Sequence, residues 1–180
     1  AWGVPFIPTE VGLGTDIITR SPELKVIDSP YDDKEWVAMP ALNLDVALIH
    51  ADRADARGVC QIAGPDHYMD DWFARAATTT IVSCDELVDT AYFNDPEQAR
   101  RVFWERAATQ AVVEIPGGAH PSSCSPLYGF DVPHYKAYAA TAKEGGIDAY
   151  FEQFLGEDEQ DYQQRVGGLD AIRAIELPVY

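Results

Sequence analysis

The sequence predicts an α/β fold: an open, mostly parallel sheet flanked by helices. Three nearly continuous apolar runs carry that prediction, Val46-Ala47-Leu48-Ile49, Thr79 to Val82 and Ala111 to Ile115. Strands buried on both faces read this way, because helices cover each side of a parallel sheet. Helical patterns separate the runs, and strands alternating with helices mark this class.

The elements follow in order. Val26-Ile27 sits in a short strand-like stretch, and Ser29 to Glu35 is a polar, proline-bounded loop. Asp45 to Ile49 forms the first buried strand. After Pro65-Asp66, a helix start signal, the residues Tyr68, Met69, Trp72, Phe73 and Ala76 repeat at helical spacing. Thr79 to Val82 is the next strand. Asp95-Pro96 reads as an N-cap and first helical position, opening a helix through Phe103, Trp104 and Ala107. Ala111 to Ile115 is the third buried strand. Tyr135, Tyr138, Ala139 and Ala142 mark a helix that stops at Gly145-Gly146. Ile147, Tyr150, Phe151, Phe154 and Leu155 mark another, and a last one around Tyr162 and Val166 ends at Gly167-Gly168. The helix faces bearing Trp72, Trp104 and Phe154 are expected to be buried.

At 180 residues, a single domain over 1–180 is the default, and 47% hydrophobic content suits a real core. No apolar run approaches the roughly 18–20 residues that span a bilayer, and no signal-peptide pattern opens the chain. A soluble, cytoplasmic protein is the expectation. The net charge of −17, with only 13 scattered Lys and Arg, excludes a nucleic-acid binder. Cys60, Cys84 and Cys124 are odd in number and lack CxxC spacing, so reduced thiols are expected, with no disulfide framework and no metal site.

The densest signal is Val113-Glu114-Ile115-Pro116-Gly117-Gly118-Ala119-His120-Pro121-Ser122-Ser123. An apolar strand ends in two glycines, then a His and a hydroxyl pair fenced by prolines. Glycines allow close backbone approach or φ > 0, and Pro121 biases His120 toward an extended conformation. In open α/β sheets ligands sit beyond the carboxyl ends of strands, so the loops after Ile49 and Ile115 fall on the functional edge. His120 is a candidate hydrogen-bond donor to a thioester carbonyl or carboxylate; its alternative is a loop His orienting backbone carbonyls. Ser122 and Ser123 bind substrate oxygens or cap the following turn. Gly117 and Gly118 offer amides to an oxyanion or make a tight turn. His50, Asp52, Arg53 and Asp55 cluster after a buried strand, with Arg53 either contacting substrate or joining a salt-bridge network. His67 reads as a solvated surface residue and His134 as structural.

Taken with Asp45-Val46-Ala47-Leu48-Ile49-His50-Ala51-Asp52-Arg53-Ala54-Asp55 and Gly12-Leu13-Gly14-Thr15-Asp16, the glycine-rich run resembles the α-subunit side of the family I coenzyme A transferases, the glutaconate and 3-oxoacid type. The resemblance extends through Phe73-Ala74-Arg75-Ala76-Ala77 and Thr80-Ile81-Val82-Ser83 to the tail, Tyr150 to Ile175. It departs at Gly58-Val59, where the family usually has Gly-Asn. Family α-subunits carry a further amino-terminal half, so the resemblance implies the C-terminal part of a larger domain, lacking its N-terminal part.

The resemblance further implies a hetero-oligomer with a β-subunit that carries most of the coenzyme A contacts and the nucleophilic Glu. Coenzyme A is then the acyl-CoA substrate, not a tightly bound cofactor, and carboxylic acids are the acceptors. No residue of this chain is assigned as catalytic: Glu114 and Glu10 match no nucleophile motif. Substrate binding falls to Gly117, Gly118, His120, Ser122, Ser123 and Arg53. The related α-subunits of thioester hydrolases that open a steroid ring in cholesterol breakdown have a similar loop and tail and form the alternative. A noncatalytic structural subunit is the third reading.

Overall fold

A computed structural model describes residues 3–65, 67–143 and 146–178. Asp66, half of the expected helix start, and Gly145, half of an expected stop, lie outside them. Contacts divide the chain into two compact units, Ala1–Leu44 and Asp45–Tyr180.

The first unit is an antiparallel sheet. Strand β1 (Phe6–Thr9) and strand β2 (Lys25–Asp28) both pair with β3 (Glu35–Pro40). Helix α1 (Ile17–Arg20) lies between β1 and β2 in sequence. Val26 and Ile27 fall in β2 as expected. The antiparallel pairing itself was not legible, because these strands are short and half-exposed, with one buried apolar centre at Val37.

The second unit holds the predicted sheet, in the order β5-β4-β6-β7. Strand β4 spans Leu44–Asp55, β5 Cys60–Gln61, β6 Ala77–Val88 and β7 Ala111–Glu114. β6 and β7 run parallel, Ile81 opposite Ala111. β4 and β5 form an antiparallel hairpin. Its turn is closed by Asp55, whose Oδ1 accepts from the amides of Arg57 and Val59, each at 2.9 Å. Gly58 sits there at φ +93°, where a Cβ would also strike Thr109. Val59 contributes its amide, so the turn closes without the side chain of the family's usual Asn.

Burial on both faces holds only for part of β4. Ala51, Asp52, Ala54 and Asp55 are all buried, but further back Val46 is 53% and Leu48 77% exposed, while Ala47 and Ile49 are buried. The first half of β4 therefore packs on one face only. That face meets helix α2 (Asp70–Ala76) and Trp104, forming a core of Ala47, Ile49, Ala51, Ala74, Val82 and Cys84.

Two helix expectations need correction. The chain reaches α2 through Tyr68 at φ +49°, so Tyr68 and Met69 lie outside the helix. The face it buries carries Asp71 and Ala74, leaving Trp72 50% exposed. The helix opened by Asp95 is only α3, Pro96–Ala99. Asp95 does cap it, its Oδ1 accepting from the Glu97 amide at 2.8 Å. Beyond it the Arg101 carbonyl accepts from the Ile62 amide, and the Trp104 indole N–H donates to Thr109 Oγ1 at 3.0 Å. Tertiary packing pulls Phe103 and Trp104 inward off the helix, and Trp104 ends 2% exposed.

The tail begins as expected with α4 (Val132–Lys143), α5 (Ile147–Phe154) and α6 (Glu159–Arg165), but Gly167-Gly168 does not end it, since α7 (Leu169–Arg173) follows, and Phe154 on α5 is half-buried rather than buried. Phe154 and Tyr150 pack on His134, with ring centroids 4.5 and 5.6 Å away. Ile172 of α7 joins Cys124 and Tyr128 in a second core beneath the Gly117–Ser123 loop. Among the described residues no helix is long and apolar enough to cross a membrane.

Candidate functional site

A cleft of about 260 Å³ opens where β4 and the loop after β7 approach each other; His50, Asp52, Ser122, Ser123, Cys124 and Phe130 are among its lining. His50 and Asp52 share a side of β4 because side chains two apart on a strand do. The loop supplies the hydroxyls opposite.

Asp85, 1% exposed on β6, ties the site together. Its Oδ1 accepts from the Gly117 amide at 2.7 Å. Its Oδ2 accepts from Tyr128 Oη–H at 2.8 Å and meets His50 Nε2 at 2.9 Å. Burial works to raise its pKa, but the hydrogen bonds from His50, Gly117 and Tyr128 outweigh it and hold the group below the ordinary range. Asp85 is therefore ionised and accepts from His50 Nε2–H. His50 Nδ1 lies 2.9 Å from Ser83 Oγ. Both ring nitrogens of His50 are thus engaged, and it presents a fixed edge rather than a free base.

The predicted loop divides. Gly117 takes φ +79°, and a Cβ there would meet Ile172 and Leu169 of α7 at 3.2 Å. Gly118 is not in the left-handed region; its constraint is proximity, since a Cβ would lie 2.9 Å from the Ile115 carbonyl oxygen and 3.0 Å from His50 Cε1. The offer of glycine amides to an oxyanion needs correction. The Gly117 amide donates to Asp85, and the Gly118 amide donates to the Ile115 carbonyl at 3.0 Å.

Ser122 and Ser123 line the cleft, and Ser122 Oγ lies 2.7 Å from Tyr135 Oη. The His120 ring is turned into the fold, its Nδ1 2.7 Å from Tyr162 Oη and its Nε2 3.1 Å from Asp131 Oδ2. Burial pushes Asp131 upward, but the His134 amide and His120 bonds outweigh it and lower its pKa. Arg53 also points away from the cleft: it pairs with Glu86 at 2.8 Å, reaches Asp52 Oδ2 at 3.5 Å, and stands over the Tyr92 ring. That is the salt-bridge network of the two readings. Glu114 closes its strand end, accepting from the Leu87 amide. His67, expected in solvent, stacks on Phe103 at 3.9 Å.

Asp52 is different in kind. It is 2% exposed, yet it faces the cleft. Oδ1 accepts from the Ala63 amide at 2.8 Å, while Oδ2 has the long Arg53 contact. Burial pushes its pKa up to about 6, against the opposing pull of the Ala63 amide and Arg53.

Two groups bring possible metal donors within 4.8 Å of one another: His50, Asp85 and Cys124, and His120, Asp131 and His134. The first would need the bonds of His50 and Asp85 broken and a thiol that burial keeps protonated. In the second, both nitrogens of His120 are engaged, and His134 Nε2 lies 2.7 Å from Tyr150 Oη.

Sequence reasoning missed Ser83, Asp85, Asp131 and Tyr162; the loop Tyr128-Gly129-Phe130 stood out as a pocket-lining candidate, and of it Phe130 lines the cleft while Tyr128 is bound to Asp85. One signal was available: Asp85 follows a buried apolar run, as Asp52 does. The partners of His50 lie 33 and 35 residues away, a distance no local pattern spans.

Residues 1–114 match the family model described as coenzyme A transferase. The chain is 34% identical to the cholesterol ring-cleaving hydrolase IpdA subunit of Rhodococcus jostii, over 91% of this chain and 57% of that protein. It is 33% identical to a glutaconate CoA-transferase subunit of Acidaminococcus fermentans, over 99% of this chain and 60% of that one. The crystal structure of glutaconate coenzyme A-transferase from that organism superposes with a TM-score of 0.84 at 30% identity, covering 99% of this chain and 60% of the other. The chain thus spans about three-fifths of the length of these relatives. A single family accounts for the sequence match, the sheet and the tail: the chain belongs to the coenzyme A transferases.

Proposed function

We propose that the chain serves in the α-subunit of a heteromeric coenzyme A transferase that moves coenzyme A between carboxylic acids. The observation that carries this reading is the agreement with glutaconate coenzyme A-transferase along 99% of the chain. The cleft supports the division of labour. Its lining offers hydroxyls, one buried carboxyl and a thiol that burial keeps protonated, while His50 is held at both nitrogens, and none of these matches the family's nucleophile motif. A partner β-subunit supplies the attacking Glu, which can open a thioester only when held against an activated acyl group. Ser122 and Ser123 contact the acyl portion. Gly117, Gly118, His120 and Arg53 shape the loop and the floor behind them.

A second reading has its own support in the 34% identity to the ring-cleaving hydrolase subunit. The departure at Gly58-Val59, on which the noncatalytic reading leans, leaves the turn itself intact, since Asp55 closes it.

The test uses the complete α-subunit with its β-subunit, incubated with acyl-coenzyme A and a carboxylate such as acetate or glutaconate. A new thioester of the added acid is the expected product. Loss of the thioester to water alone, or ring opening without transfer, would overturn this reading in favour of the hydrolase.

A further inference from the structure

Asp52 is the feature that the transferase reading leaves unused. Its carboxyl is almost wholly buried, but it faces a cleft instead of a partner. One oxygen is fixed by the Ala63 amide; among the described residues the other has only a guanidinium at 3.5 Å that is better paired with Glu86 at 2.8 Å. A buried carboxylate ordinarily collects strong donors. Asp85, one strand away, has three. The contrast between two buried aspartates of one sheet points to different tasks.

The cleft also lacks a cation. Among its described lining residues none is Lys or Arg. An acyl oxygen entering beside Asp52 meets hydroxyls from Ser122 and Ser123, and it would be repelled by an ionised Asp52. Only the protonated carboxyl fits such a ligand, donating O–H to the acyl oxygen.

We infer that Asp52 is the proton-donating group of the cleft, giving a hydrogen bond from Oδ2 to an oxygen of the bound acyl group. The inference rests on the acyl-coenzyme A reading above and deepens it. The chemistry needs no added reagent: a proton is taken from solvent when ligand binds and is returned when it leaves. The surroundings favour holding that proton. Burial raises the group's pKa to about 6, and bound acyl oxygen raises it further. Among the described residues, the charged or titratable groups around it are Arg53 on its own strand, Arg101 beyond α3, Cys84 on β6, and Cys124, His50 and Asp70 of the cleft. Both thiols are held protonated by burial, Cys84 with a pKa raised to about 11. His50 faces the cleft with both nitrogens engaged. The two arginines are the opposing influence.

The test compares wild type, Asp52→Asn and Asp52→Ala in the complete α/β complex. Wild-type kcat/KM with acetyl-coenzyme A and glutaconate should fall as pH rises above about 6. Asp52→Asn keeps a donor that does not titrate, so its profile should lose that limb. Asp52→Ala should lower kcat/KM at least tenfold at pH 6 at a temperature well below its Tm, where the complex is fully folded. An Asp52→Ala complex within twofold of wild type, or an unchanged limb in Asp52→Asn, overturns the inference.

If the wild-type complex neither transfers nor hydrolyses, the functional reading fails by itself. The inference is then read from calorimetry of acetyl-coenzyme A binding in two buffers of different ionisation enthalpy. Proton uptake by wild type and none by Asp52→Asn supports it; no uptake by wild type overturns it.

Discussion

At the residue scale, Asp52 and Asp85 show how environment sets the sign of a pH effect. Asp85 has a lowered pKa, so its contribution to stability is present above the unfolded value of 3.8 and is lost as pH falls through the folded value. Asp52 is raised from 3.8 to about 6, so stability present at low pH is lost as pH rises through that window. A shift of that size corresponds to about 3 kcal/mol at most. Asp52→Asn keeps an oxygen for the Ala63 amide and removes the charge. Its Tm should therefore exceed wild type at pH 7.5, with the gap closing by pH 4; equal melting curves at both pH values would show that Asp52 is not ionised at a cost.

Nearby, Gly118→Val should destabilise by about 1–3 kcal/mol through overpacking against Ile115 and His50. The sequence showed that two glycines mattered here. It did not show that Gly117 needs its φ and Gly118 its lack of a side chain, because the atoms Gly117 avoids come from α7, and those Gly118 avoids come from His50 of β4 and from the folded-back Ile115. Likewise Arg53 and His120 were visible as polar residues at strand ends, but their partners Glu86, Tyr162 and Asp131 decide which way they face.

At the element scale, the tail clamps the loop. Gln163 of α6 donates from Nε2 to the Pro116 carbonyl at 2.6 Å, Tyr162 lies against His120, and Ile172 of α7 packs under Gly117. Ile172→Ala should cost about 2–5 kcal/mol as a buried deletion. Tyr162→Phe should cost about 1–3 kcal/mol, because a His120 nitrogen loses its partner. Both should speed hydrogen exchange at the Gly118 and Ser122 amides, whose acceptors lie inside the loop. Faster exchange confined to the tail would separate the two elements.

Trp104→Ala should cost about 3–5 kcal/mol, and Trp72→Ala far less, since half of that ring is in solvent. The helical spacing of aromatics was legible from α4 to α6. It misled near Trp72 and Trp104, where packing against the sheet overrode the local pattern. Strand positions were legible because apolar runs are local. Strand order and the antiparallel pairing of residues 6–40 were not, because they depend on contacts distant in sequence.

At the scale of the whole molecule, the charge of −17 sets a condition on coenzyme A. That ligand carries several phosphates, and the described lining of the cleft has no Lys or Arg to meet them. An acidic surface repels an anion over roughly one Debye length, about 10 Å at 0.1 M salt. Adding salt to this chain alone should then leave coenzyme A binding unchanged or slightly improve it. In a complex whose partner supplies cations, added salt should weaken binding, because screened attractions are the ones lost. Titrating coenzyme A at 50 and 300 mM salt, with and without the β-subunit, reads the sign directly. A chain that bound coenzyme A tightly by itself, and released it with salt, would place the phosphate contacts on its own surface and remove the electrostatic reason for a partner.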